Sequence, residues 1–319
     1  MSAAQAPRSL ADISVHPVRP EARELIALRG IALALQLERN AAKSLRPGAL
    51  RTRFRGRGME FSEVRPYQAG DDIRSIDWKV TARRGRPHTK LFTEERERPV
   101  LLAVDLRRSM HFATRGRFKA AQAAVAASLL AWNACRKGDR LGGLVFSEQG
   151  AQPVKDRRGD KGALHLIRAL MRPGFWEGAA GGDAPAQAAL DALHRLRAQA
   201  HPGSRIYLLS DLRNLSPAAE HLLADISRHN ELVLVMLEDA IDSELPPKGI
   251  YPLELDGAFY RLDASNPVVR ARHRLRYEAH LARWRKLARH DNIFLMRLDT
   301  REEPSGILRR GHREGFDAR

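Results

Sequence analysis

Beyond Pro99 the chain alternates short apolar runs with longer stretches of helical spacing. Val100–Val104 holds no polar side chain, and Leu141–Phe146, Ile206–Leu209, Leu232–Leu237 and Ile293–Leu298 are of similar kind, with Arg297 the one charge among them. A strand covered on both faces is apolar at consecutive positions, whereas a strand with one wet face alternates. Between these runs lie Phe118–Arg136, Leu164–Met171, Ala184–Gln199, Pro217–Arg228 and Pro267–His290, all of helical character. Ser216 stands as an N-cap, and Pro267 in a first turn. Parallel strands must be joined by long crossovers. The alternation therefore predicts a doubly wound, mostly parallel α/β sheet with helices on both faces. Tyr251–Leu255 and Phe259–Leu262 read as a hairpin, and no internal repeat is visible.

Ahead of Pro99 the rhythm differs. Residues 1–20 lack periodicity and read as a loose tail. Glu21–Ser44 has helix spacing and ends at Pro47-Gly48. Arg46–Arg57 holds five arginines and no acid, an exposed basic loop that offers Arg51, Arg53, Arg55 and Arg57 to a partner. Phe61, Val64 and Tyr67 suggest a strand, Ala69–Asp72 a turn, Ile73–Arg83 an amphipathic stretch and His88–Glu94 a second strand. The expected organisation is a tail over 1–20, an N-terminal helix with a small β-containing subdomain over 21–98, an α/β domain over 99–300, and a polar tail over 301–319.

Charge narrows the function less than its size suggests. The formal net charge is +17, and 46 of the 55 basic residues are arginine, so a coding bias toward arginine accounts for part of it. Residues 1–99 carry 20 basic and 12 acidic side chains, residues 100–265 carry 21 and 19, and residues 266–319 carry 14 and 7. The excess sits in the flanks, where an acidic protein surface, or less readily nucleic acid, is the partner such charge attracts. The single cysteine, Cys135, excludes a disulfide scaffold and a Cys-rich zinc module and fits a reducing compartment. It lies in an alanine-rich helical stretch and reads as a buried structural thiol. The N-terminus lacks an apolar signal core, and no apolar run reaches the about 18 residues of a spanning helix. A cytoplasmic protein is expected.

No phosphate-binding G-x-x-x-x-G-K-[ST], no H-E-x-x-H and no G-x-S-x-G occurs. Two strands nevertheless end in carboxylates: Val104-Asp105, followed by Ser109, and Leu209-Ser210-Asp211. In open α/β sheets ligands bind beyond the carboxyl ends of strands. Two aspartates and a hydroxyl there form an oxygen set suited to Mg²⁺.

Asp105-x-x-x-Ser109 with Ser210-Asp211 resembles the metal-ion-dependent adhesion site of von Willebrand factor A domains. Ahead of it stand Gly56-x-Gly58-x-Glu60-Phe61, Arg65-x-Tyr67, Gly70-Asp71-Asp72-x-Arg74, Asp77-Trp78 and Arg83. That string resembles the signature of the bacterial family catalogued as domain of unknown function 58. The resemblance implies a von Willebrand A-like domain acting as partner or adaptor of a MoxR-type AAA+ ATPase in assembly or activation of other proteins. It does not imply an enzymatic activity, and with no catalytic constellation in the sequence a non-enzymatic interaction module is expected. Two positions depart from the adhesion pattern. Arg107 replaces the first serine, where its guanidinium can pair with Asp105 or Asp211 in the metal's place, and Arg107 with Arg108 forms a candidate interaction surface. Asp183 stands where a threonine is expected and is a possible replacement ligand. Within the signature, interleaved charges suggest a polar network around Tyr67, Ile76 and Trp78, with Trp78 as a core anchor. The alternatives are a nucleic-acid-binding protein acting through its basic flanks and a Mg²⁺-dependent hydrolase using Asp105 and Asp211.

Overall fold

A computed structural model of the chain describes residues 13–35, 37, 59–68, 73–94, 99–177, 185–255 and 258–314. It divides into two compact units, Met1–Ala41 with Arg98–Arg319, and Ala42–Glu97.

The N-terminal part of the larger unit holds α1 (Ala22–Ala27) and α2 (Arg29–Ala34) where a single longer helix was expected. A capping box between Glu21 and Glu24 starts α1. Leu25, Leu28 and Ile31 are buried in the larger unit's core, so this segment belongs to the α/β unit and not to the small subdomain. Part of the expected loose tail is also tied down. Val15 is buried, and the Pro17 carbonyl accepts from the Phe118 N–H.

The smaller unit contains β1 (Met59–Pro66), α3 (Trp78–Arg84) and β2 (His88–Glu94). Strands β1 and β2 pair antiparallel, with an irregularity between Phe61 and Glu63. Asp77 caps α3 by accepting from the Lys79 and Val80 N–H groups, and Gly85 ends the helix at φ 67°. Trp78 corrects the sequence reading. It is the first residue of α3 and is 69% exposed, so it is no core anchor.

The larger unit is built on β3 (Val100–Asp105), α4 (Lys119–Arg136), β4 (Arg140–Ser147), β5 (Gly150–Arg158), α5 (Asp160–Leu170), α6 (Pro185–Gln199), β6 (Arg205–Ser210), α7 (Pro217–Ser227), β7 (Glu231–Glu238), α8 (Ala240–Ser243), the hairpin β8 (Ile250–Leu255) and β9 (Ala258–Asp263), α9 (Pro267–Leu287), β10 (Ile293–Asp299) and α10 (Pro304–Glu314). Six strands form one sheet in the order β10-β7-β6-β3-β4-β5. Five are parallel, and β5 adds an antiparallel edge through its pairing with β4. The doubly wound expectation holds. Strand β5 escaped sequence reading because Gln152, Lys155, Asp156 and the arginines around them give an edge strand no apolar run.

Alternating side chains feed two cores. On β3, Leu102 and Val104 face the cluster with α4, while Leu101 and Ala103 face the cluster with α6 and α7. Strands β6 and β7 repeat the division, with Tyr207, Leu209, Val233 and Val235 on the first side and Ile206, Leu208, Leu232 and Leu234 on the second. Helix α4 is buried at every residue from Lys119 to Cys135. Its alanines favour helix and let it lie close to the sheet, where bulkier residues would not fit. The expected polar C-terminal tail is instead α10, anchored by fully buried Leu308 and by His312, which bonds the Tyr207 hydroxyl at 2.8 Å.

Candidate functional site at the carboxyl edge of the sheet

Strand order reverses at β3. The chain runs from β3 through α4 to β4 on one side, then returns through α6 to β6 on the other. The crevice beyond the carboxyl ends of β3 and β6 is therefore the place where a sheet of this kind takes ligands. Asp105 ends β3, and Asp211 directly follows β6; the structure brings the two expected carboxylates to this crevice, both fully buried.

Asp105 is satisfied by the chain itself. Its Oδ1 accepts from the Arg107 N–H at 2.9 Å and from Arg107 Nε at 3.0 Å. Its Oδ2 accepts from Arg107 Nη2 at 2.7 Å and from Ser210 Oγ at 2.6 Å. Arg107 Nη2 also donates to the Arg213 carbonyl at 3.1 Å. Of the two carboxylates open to it, Arg107 takes Asp105. Burial would lower the Arg107 pKa, but the Asp105 carboxylate outweighs it and the net shift is upward, so the guanidinium stays charged. Arg107 is 1% exposed, which corrects its assignment to an interaction surface. An arginine folded back two residues onto a buried carboxylate is not on the surface to meet a partner.

Asp211 is held by a cation that sequence reasoning missed. Lys119 Nζ lies 3.1 Å from Asp211 Oδ2 and 3.6 Å from Asp242 Oδ2. Burial pushes the Asp211 pKa up, but Lys119, the Arg213 N–H and Arg107 pull it below the ordinary carboxylate range. Lys119 opens α4, where the helix dipole disfavours a cation, so its place there answers to the carboxylates. Its signal in the sequence is a lone lysine before sixteen uncharged residues. Asp242 pairs with Arg213 at 2.8 Å and accepts from the Asp239 N–H at 2.9 Å. Three aspartates and three cations thus form one cluster of balanced charge.

Neighbouring strand ends are spent in the same way. The Glu148 carboxylate, after β4, accepts from the Arg108 N–H at 3.0 Å. Asp239, after β7, accepts from Thr114 N–H and Oγ1 and from Thr300 Oγ1. Burial raises the Asp239 pKa, but these donors more than compensate and hold it low. Leu212 and Asn214 take left-handed backbone at φ 56° and 52° in the loop after β6. Such backbone at a buried leucine is strained and persists where its surroundings fix it. The fixing contacts are Ser210 Oγ accepting from the Leu212 N–H at 2.9 Å and Asp211 Oδ1 accepting from the Arg213 N–H at 3.0 Å.

A divalent cation does not fit this arrangement. It needs carboxylate lone pairs that Arg107, Lys119 and Ser210 already fill, and two resident cations would repel it. Among the described residues no group of three or more His, Cys, Asp or Glu is arranged to hold a metal. Ser109 lies half-buried in a short 3₁₀ turn over Arg108–Met110. Asp183 lies outside the described residues, as do Arg51, Arg53, Arg55, Arg57, Gly58, Gly70, Asp71 and Asp72. Of the remaining signature residues, Glu60, Phe61, Arg65 and Tyr67 lie on or just after β1, Arg74 in a 3₁₀ turn, and Asp77, Trp78 and Arg83 at α3.

Fold and site define a doubly wound α/β protein whose ligand edge is closed by its own ion pairs. The chain belongs to the family described as protein of unknown function DUF58, which it matches over residues 63–286. Uncharacterized proteins of Mycobacterium bovis and Mycobacterium tuberculosis are 32% identical to it over 215 residues, 67% of this chain. The chain spans 63% of the length of these relatives. Among solved structures it is similar to the conserved hypothetical protein BatB from Bacteroides thetaiotaomicron, with TM-score 0.39 and 15% identity over 67% of this chain and 96% of that one. It is also similar to a von Willebrand factor type A protein from Catenulispora acidiphila, with TM-score 0.37 and 15% identity over 70% of this chain and 44% of that one. No helix among the described residues is long and apolar enough to cross a membrane.

Proposed function

We propose that the chain is a non-enzymatic protein-interaction module of von Willebrand A-like kind, that it meets its partner with the loops at the carboxyl edge of its sheet, and that the partner is a MoxR-type AAA+ ATPase. The observation that carries this reading is the closure of the edge. The strand-end carboxylates that would hold a metal or serve as general base are consumed by Arg107, Lys119, Ser210 and loop N–H groups. What the edge presents outward is a set of fixed loops with exposed Arg108, Phe112 and Arg115. A fixed, basic, partly apolar rim is built to recognise an acidic protein surface.

The test is binding of purified chain to the purified ATPase in its nucleotide-free, ADP and ATP-bound states. The wild type is expected to bind in at least one state, and Arg108→Glu with Arg115→Glu to bind about tenfold more weakly. No binding in any state, or equal binding by the variant, would overturn the reading.

A further inference from the structure

Helix α9 is apolar on two sides. Its inner side packs Leu281, Trp284 and Leu287 into the second core, with Tyr277 against it. Its outer side carries Val268, Ala271, Leu275, Ala279 and Ala282, all exposed, Val268 at 71% and Leu275 at 65%. Spaced by three or four residues, these five share one stripe about 80° wide, and at 1.5 Å per residue it runs about 21 Å. The outward side of a surface helix is ordinarily polar.

The stripe's borders are basic. Arg272 and Arg276 lie along one side, and Arg274 and Arg285 along the other, all exposed. The single acid of α9, Glu278, is bonded to Arg274 at 2.9 Å. Arg270 is turned inward, donating to the carbonyls of Pro246, Ala264 and Leu245, and Arg283 pairs with Glu220. The four arginines left outward therefore flank the apolar seam.

We propose that the outer face of α9 docks an amphipathic helix of a partner protein, one whose apolar seam is bordered by acidic side chains. Alanines at 271, 279 and 282 let a second helix approach to the 8–10 Å of close helix packing, with Leu275 at the centre of the contact. Acidic borders complement the four arginines and set the register. A second copy of this chain is a poor occupant, because it would set arginine against arginine along the whole seam. The surface uses none of the residues of the carboxyl-edge cluster.

The probe is a synthetic helical peptide with a leucine–alanine seam flanked by glutamates, measured by fluorescence anisotropy against the whole chain. The seam peptide is expected to bind, and a scrambled peptide of equal composition to bind about tenfold more weakly. Leu275→Asp is expected to cost a similar factor with an unchanged circular dichroism spectrum, since Leu275 is exposed; Ala271→Glu with Ala279→Glu is the second variant. Equal binding of seam and scrambled peptides would reduce the surface to bare charge and overturn the proposal. So would binding to vesicles of equal parts phosphatidylcholine and phosphatidylserine without peptide binding, or a dimer of the chain that Leu275→Asp dissociates.

Discussion

Asp105 is buried away from the surface, so Arg107 and Ser210 stabilise its charge as solvent does elsewhere. Removing one partner of a buried ion pair strands the other, whereas replacing both by apolar groups is often neutral. Asp105→Asn is therefore expected to cost about 3–5 kcal/mol in urea unfolding. Asp105→Leu combined with Arg107→Met should recover most of that loss, and a double variant as unstable as Asp105→Asn would contradict the pairing. His312 gives a second residue-scale expectation. Burial, chiefly, pushes its pKa from 6.5 down to about 4. As pH falls the unfolded chain takes up the proton first, so the stabilisation is whole above about pH 6.5 and is lost progressively toward pH 4. The gap corresponds to about 3 kcal/mol. The urea midpoint of the wild type should fall more steeply over that window than that of His312→Gln; parallel slopes would show that His312 is not held neutral.

At the scale of elements, β4 pairs with β3 at a position that only glycine suits, Gly143 opposite Leu102. Gly143 has φ 134°, and a Cβ there would stand 2.1 Å from the Leu102 carbonyl oxygen. Neither backbone can yield inside a paired sheet, so Gly143→Ala is expected to lose more than the 1–3 kcal/mol of ordinary overpacking, read as aggregation or loss of the cooperative thermal transition. A variant that melts like the wild type would show that the strands can part. The parallel strands and long helices were legible in the sequence because burial on both faces writes continuous apolar runs. Strand β5 and α10 were not, since an edge strand and a half-covered terminal helix keep charged side chains. The two carboxylates were legible as the ends of apolar runs. Their neutralisation was legible for Arg107, which stands two residues from Asp105. It was hidden for Lys119, whose nearness to Asp211 and Asp242 is created by the winding of the sheet.

Over the whole molecule, the net charge of +17 divides into two kinds of cation. Some are internal counter-ions, such as Arg107 and Lys119, which the fold uses up. Others, such as Arg272 and Arg276 on α9, face outward and are available to a partner. The first kind underlies the proposed role, in which counter-ions supplied by the chain leave the carboxyl edge to act as a contact surface rather than a metal centre. A ligand that binds only the folded state adds about 2.7 kcal/mol at a hundred times its dissociation constant, which moves the melting midpoint by several degrees. The most direct measurement is thermal unfolding of the wild type in EDTA and across a Mg²⁺ titration, beside Asp105→Asn. The wild-type midpoint is expected not to respond to Mg²⁺. A saturable rise with Mg²⁺ that Asp105→Asn abolishes would contradict it.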